Sequence, residues 1–167
     1  MGGKRVLVTG GAGFIGSHTC LVLLQQGHHV TVVDNFANSS RLALDRMQQV
    51  AGFGLTVDFH ELSIGDEAAL DKMLGEQPAP FDACIHFAAF KAVGESVDHP
   101  LMYYQNNVAG TVTLLRMLEK HGCTAFVFSS SCTVYGDVKK NPVDEKHPRA
   151  AVNPYGQTKL DIEDMAF

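Results

Sequence analysis

The chain has 167 residues, 46% of them hydrophobic and 19% charged, with 16 Gly, 6 Pro and no Trp. That is the size and polarity of one globular domain, and it excludes a disordered, collagen-like or low-complexity polypeptide. Thirteen basic against 18 acidic residues give a net charge of −5 with no basic block, so neither nucleic acid nor an anionic membrane is an expected partner.

The first apolar run, Val6-Leu7-Val8, is too short for a signal-peptide core or a membrane span, and a cytoplasmic location is expected. It lies in the first predicted strand, Arg5–Thr9. A helix follows over Phe14–Gln26, with Gly27 suited to the left-handed position that closes it. The second strand is His29–Asp34. Ser39-Ser40 then offers capping hydroxyls for a helix over Arg41–Gly52. A third strand, Thr56–Glu61, leads to Asp66, which caps Glu67–Leu74, closed by Gly75. A fourth strand is expected over Ala83–Phe87. One long helix runs from Pro100 to His121, with Gly122 after it, and the fifth strand is Ala125–Ser129. Val138–Val152 is a polar loop with two Pro, expected over the active face. Pro154 opens the last helix, in the first turn where proline is tolerated.

The strands are near-continuous apolar runs, as strands covered on both faces must be. Their alternation with helices implies an α/β fold: a doubly wound parallel sheet of the Rossmann type, five strands with helices on both faces, formed by residues 1–167 as one domain. Cys20, Cys84, Cys123 and Cys132 form no C-x-x-C and have no His at ligand spacing, so free thiols in a reducing compartment and no metal are expected. His86, inside an apolar strand, reads as a packed core residue.

The first strand runs straight into Gly10-Gly11-Ala12-Gly13-Phe14-Ile15-Gly16. Small residues permit a tight turn and let the backbone approach a pyrophosphate, which then faces the amides and positive end of the following helix. A glycine triplet alone is a weak signal. This one sits between a strand and a helix, and Asp34 ends the second strand, where a carboxylate accepts hydrogen bonds from adenosine ribose hydroxyls. The same charge repels a 2′-phosphate, so NAD rather than NADP is the expected cofactor.

Tyr155-Gly156-Gln157-Thr158-Lys159 places a phenol and an ammonium on one face of the last helix. A free phenol titrates near pH ~10, so a base at neutral pH needs its phenolate stabilised by about 4 kcal/mol. Lys159 and a positive nicotinamide ring together supply that. Ser129-Ser130-Ser131 ends the fifth strand, at the edge where such sheets bind ligands, and the Ser131 hydroxyl is placed to share the proton of a reacting substrate hydroxyl.

These residues, with Asp34-Asn35, Asn38-Ser39, His86-Phe87-Ala88-Ala89, Lys91-Ala92-Val93-Gly94-Glu95-Ser96, Tyr103-Tyr104-Gln105-Asn106-Asn107, Thr133-Val134-Tyr135-Gly136 and Asn153-Pro154, resemble the extended short-chain dehydrogenase/reductases. Within them the chain is most similar to UDP-glucose (UDP-galactose) 4-epimerases, over essentially its whole length. The resemblance implies that Gly10, Gly13, Phe14 and Ile15 cradle the pyrophosphate and that Asp34, Asn35, Asn38 and Ser39 hold the adenosine half, with Ile64 a further cofactor contact. It implies that Phe87, Ala88, Ala89, Lys91, Asn106, Ser129, Tyr155 and Lys159 line the nicotinamide side. Tyr155 is then the base, Ser131 its partner, and Lys159 tunes Tyr155 and holds the ribose. The implied reaction is epimerisation at C4 of a UDP-hexose through a transient 4-keto sugar, with NAD unchanged at the end, in a homodimer built on the helices Pro100–His121 and Pro154–Phe167.

Nucleotide-sugar 4,6-dehydratases are the neighbouring alternative, but they carry an Asp-Glu pair where this chain has Cys132 and Thr133, which cannot eliminate water. Two departures from the epimerase pattern stand out. Ser63-Ile64-Gly65 has Ser63 where the family has an adenine-binding Asp, a loss of about 1–3 kcal/mol for a charged hydrogen bond, of which the hydroxyl recovers part. The chain is also about half the family's length, so the C-terminal substrate-binding domain is expected to be absent. A truncated NAD-binding module without turnover is then the second reading.

Overall fold

Each short apolar run forms a strand and each longer run a helix in the computed structural model, which describes residues 2–52 and 56–167. In chain order the elements are β1 (Arg5–Thr9), α1 (Phe14–Gln25), β2 (His29–Asp34), α2 (Arg41–Ala51), β3 (Asp58–Glu61), α3 (Glu67–Gly75), β4 (Ala83–His86), α4 (Val93–Asp98), α5 (Pro100–Tyr103), a π-helical segment Tyr104–Ala109, α6 (Gly110–Lys120), β5 (Phe126–Phe128), a 3₁₀ turn Cys132–Tyr135 and α7 (Pro154–Ala166). The chain divides into two compact units, residues 1–88 with 112–129, and residues 89–111 with 130–167.

The first unit holds the sheet, ordered β3-β2-β1-β4-β5 and parallel throughout. β1 is central, so its side chains alternate between two buried faces. Val6 and Val8 join Val30, Val32, Cys20, Leu24, Leu44 and Met47 on one side, against α1 and α2. Leu7 joins Val33, Cys84, Leu70, Met73, Leu114 and Leu118 on the other, against α3 and α6. This is the doubly wound Rossmann arrangement that the β-α alternation implies. His86 is 1% exposed, with Nδ1 2.6 Å from Thr9 Oγ1 and its ring stacked on Phe128, as a core histidine should be.

Local chemistry sets the boundaries. Asp66 Oδ1 accepts from Ala69 N (3.0 Å) at the start of α3, and Ser40 Oγ accepts from Leu42 N (3.3 Å) at the start of α2. β3 begins at Asp58 rather than Thr56, its four residues pairing with Thr31–Asp34 of β2. In the second unit, α4 was not foreseen. Six residues are too few to show a helical period. The expected single helix Pro100–His121 is divided into α5, the π segment and α6. The wider π turn re-aims Asn107, whose amide bonds to Phe90 are described below.

Candidate active site

In the first unit the turn after β1 is shaped by its glycines. Gly10 has φ +72°, and a Cβ there would lie 2.5 Å from Ala88 N; a Cβ on Gly16 would overlap Gly10 O. Both positions are fixed by packing. Gly13, the cap of α1, is different: a Cβ would meet only Gly10 O, at 3.2 Å. No side chain caps α1, and Phe14 and Ile15 beyond the turn are 77% and 58% exposed.

Asp34 sits at the end of β2 and is 8% exposed. Its Oδ2 accepts from Ala12 N (3.0 Å), and its Oδ1 accepts from Phe36 N (2.9 Å) and Ser39 Oγ (2.7 Å). The carboxylate thus ties the glycine turn to the segment after β2. With roughly four lone-pair positions in all, it keeps about one for a ligand hydroxyl. Asn35 Oδ1 accepts from Ala37 N (3.1 Å), and Asn35 and Asn38 are exposed. Ile64 is 5% exposed and packs in the core. Phe87 and Ala88 back the turn at Gly10, and Ser129 N donates to His86 O (3.1 Å).

In the second unit, α7 carries the proposed acid–base pair. Asn153 Oδ1 accepts from Gly156 N (2.8 Å), and Pro154 follows in the first turn. A second side chain, Ser96, accepts at Oγ from Tyr155 N (3.1 Å) while donating to Val93 O (2.6 Å). Lys159 Nζ lies 6.0 Å from the centroid of the Tyr155 ring. Lys159 is 3% exposed, and burial pulls its ammonium down from 10.5 to about 8.

Ser131 Oγ accepts from Thr133 N (3.2 Å) and from Thr133 Oγ1 (2.9 Å), which leaves its own proton for another partner. Thr133 also abuts α7: a Cβ on Gly156 would lie 2.9 Å from Thr133 O. Ser130 Oγ is buried with no hydrogen-bond partner among the described residues, a deficit that a ligand or water normally fills. Asn106 Nδ2 donates to Asn107 Oδ1 (2.8 Å), and Lys91 is exposed.

A supporting network was not visible in the sequence. Fully buried Asn107 accepts from Phe90 N (2.8 Å) and donates to Phe90 O (3.0 Å) and Thr158 Oγ1 (3.2 Å). Tyr103 Oη donates to Glu95 Oε2 (2.6 Å) and accepts from Ala92 N (3.0 Å); burial and the adjacent Glu95 push its phenol up to about 12. These contacts hold the segment 89–96, α4 and α7 together. Ser96, Asn107, Thr133 and Gly156 lie in motifs noted above, but no local spacing assigns them a role.

The sheet, the glycine turn and the Tyr155–Lys159 helix define a Rossmann-type protein of the extended short-chain dehydrogenase/reductase kind. A family model described as GDP-mannose 4,6 dehydratase matches residues 7–167, and the chain belongs to that family. UDP-glucose 4-epimerase 1 of Oryza sativa subsp. japonica is 54% identical over 163 residues, which are 97% of this chain and 46% of the relative. UDP-glucose 4-epimerase of Bacillus subtilis (strain 168) is 50% identical over 160 residues, 96% of this chain and 46% of the relative. Among solved structures, UDP-glucose 4-epimerase from Bifidobacterium longum in complex with NAD+ and UDP matches with TM-score 0.93 and 44% identity, over 98% of this chain and 48% of that one. The chain spans about half the length of the curated relatives it matches.

Proposed function

We propose that residues 1–167 form the NAD-binding Rossmann part of a UDP-hexose 4-epimerase. The observation that carries this reading is Lys159, buried one helical turn beyond Tyr155. An ammonium on the same helix face as a phenol favours the phenolate form of that phenol.

The residues fit the cofactor. Gly13 lacks a side chain where packing does not demand it, which suits close approach of a pyrophosphate from outside. The carboxylate of Asp34 accepts a ribose hydroxyl and repels a 2′-phosphate, which favours NAD. Ser39 and the backbone at Ile64 are proposed for the adenosine half; Phe87, Ala88 and Ser129 of the first unit and Ala89, Lys91 and Asn106 of the second are, by the family resemblance, those proposed for the nicotinamide half. When bound, NAD supplies the hydride acceptor and donor for the sugar C4.

Tyr155 as phenolate takes the proton of the sugar 4-hydroxyl and later returns it to the same oxygen, once C4 has the opposite configuration. Ser131, whose oxygen already accepts two bonds from Thr133, donates its own proton toward the same sugar oxygen. Lys159 stabilises the phenolate through its charge and binds the ribose. Cys132 and Thr133 offer no carboxylate pair for dehydration, and relatives about 50% identical are epimerases.

A second copy of the chain is the proposed partner. The segment Pro100–Tyr104 exposes Leu101, Met102 and Tyr104, and α7 exposes Met165, apolar groups that a homodimer would cover. With Cys20, Cys84, Cys123 and Cys132 all free, the proposed location is the reducing cytoplasm; among the described residues no helix is long and apolar enough to cross a membrane.

The test is incubation of the chain with NAD and UDP-galactose, with UDP-glucose as the readout. In a full-length polypeptide that carries this half, product from the parent and none from Tyr155→Phe is the expected result. NAD binding without UDP-glucose would contradict turnover by this chain and leave the second reading, a cofactor-binding module.

A further inference from the structure

We propose that Ser63 makes the base end of the cofactor site accept purines with either an amino or an oxo group at C6. The proposal rests on the NAD reading above. The phosphate turn lies at the end of β1 and Asp34 at the end of β2, so a dinucleotide running from one to the other is aimed at β3, the next strand in the order β3-β2-β1. Asp34 is paired with Glu61, the last residue of β3, and Ser63 lies just beyond it in the turn to α3. Ile64, 5% exposed, anchors that turn in the core.

Ser63 is half-buried, and its Oγ accepts from Gly65 N (3.2 Å). A hydroxyl has one proton and two lone pairs. With one lone pair engaged, Ser63 keeps a proton to donate and a lone pair to accept. Adenine presents a donating amino group at C6, and hypoxanthine an accepting oxygen. Rotation about Cβ–Oγ suits Ser63 to either. The neighbouring carboxylate of Asp66 caps α3, its Oδ1 accepting from Ala69 N (3.0 Å). A carboxylate at position 63 would only accept, and would therefore favour the amino form.

Calorimetric titration of the folded chain with NAD and with nicotinamide hypoxanthine dinucleotide tests this. The expected Kd values lie within about threefold of each other, and Ser63→Asp separates them by about tenfold or more in favour of NAD. Ser63→Asp keeps an acceptor for Gly65 N, and Ser63→Ala is expected to weaken both ligands by a similar factor. A parent chain that prefers NAD by about tenfold, or an unchanged ratio in Ser63→Asp, overturns the role of Ser63 alone. Failure of both dinucleotides to bind the folded parent overturns the cofactor reading itself, and this inference with it.

Discussion

Gly13 and its neighbours in the turn have separable reasons for being glycine. Gly10 and Gly16 are required by the protein's own packing, whereas Gly13 faces open space apart from Gly10 O. Gly13→Val is therefore expected to keep the unfolding free energy within about 1 kcal/mol of the parent and to abolish NAD binding. Denaturant titration paired with calorimetry checks both halves; a variant that binds NAD normally would remove the pyrophosphate from this turn. Lys159 gives a prediction of the opposite sense. Its folded pKa of about 8 lies below its ordinary 10.5, so the unfolded chain binds more protons between those values. The cost of burying the charge is present in full below pH ~8 and is relieved as pH rises toward ~10.5, on the order of 3 kcal/mol. Lys159→Met is expected to be more stable than the parent at pH 7, with the difference closing by pH ~10. Parallel melts across that range would contradict burial as the cause. The pair Tyr155–Lys159 and the glycine turn were legible in the sequence because their spacing is local. Ser96 was not, since it meets Tyr155 N across 59 residues, and neither was Asn107, which meets Thr158 across 51.

Elements whose ends carry their own chemistry were equally legible. α3 starts after Asp66 and α7 after Asn153, each with a side-chain bond to a first-turn amide. Asn153→Ala is expected to cost about 1 kcal/mol, measured by chemical denaturation, with Ser96 still holding Tyr155 N. Elements defined by tertiary contact were not legible. The π segment Tyr104–Ala109 interrupts a continuous helical pattern because Asn107 is needed at the backbone of Phe90, a demand that no propensity records. Asn107→Leu leaves Phe90 N and O without that partner and is expected to cost about 3 kcal/mol. If its melting curve matched the parent's, the π turn would have no supporting role.

The sheet unit follows from the continuous apolar run of the central strand β1, which forces helices onto both faces, and from its parallel order, which places every strand's carboxyl end on one edge of the sheet. That much was readable from the β-α order. The division into two compact units was not, because the second unit draws on two separated stretches, 89–111 and 130–167. Exposed Leu101, Met102, Tyr104 and Met165 lead to the expectation of a dimer at micromolar concentration, and Leu101→Glu is expected to shift sedimentation toward monomer. A parent chain that sediments as a monomer would contradict self-association. The central claim is that a dinucleotide lies across the carboxyl edge of this sheet. Calorimetric titration of the folded chain with NAD tests it most directly. A saturable heat for one site per chain, kept in Tyr155→Phe and lost in Gly13→Val, is the expected result; no heat from a sample whose circular dichroism shows it folded would contradict it.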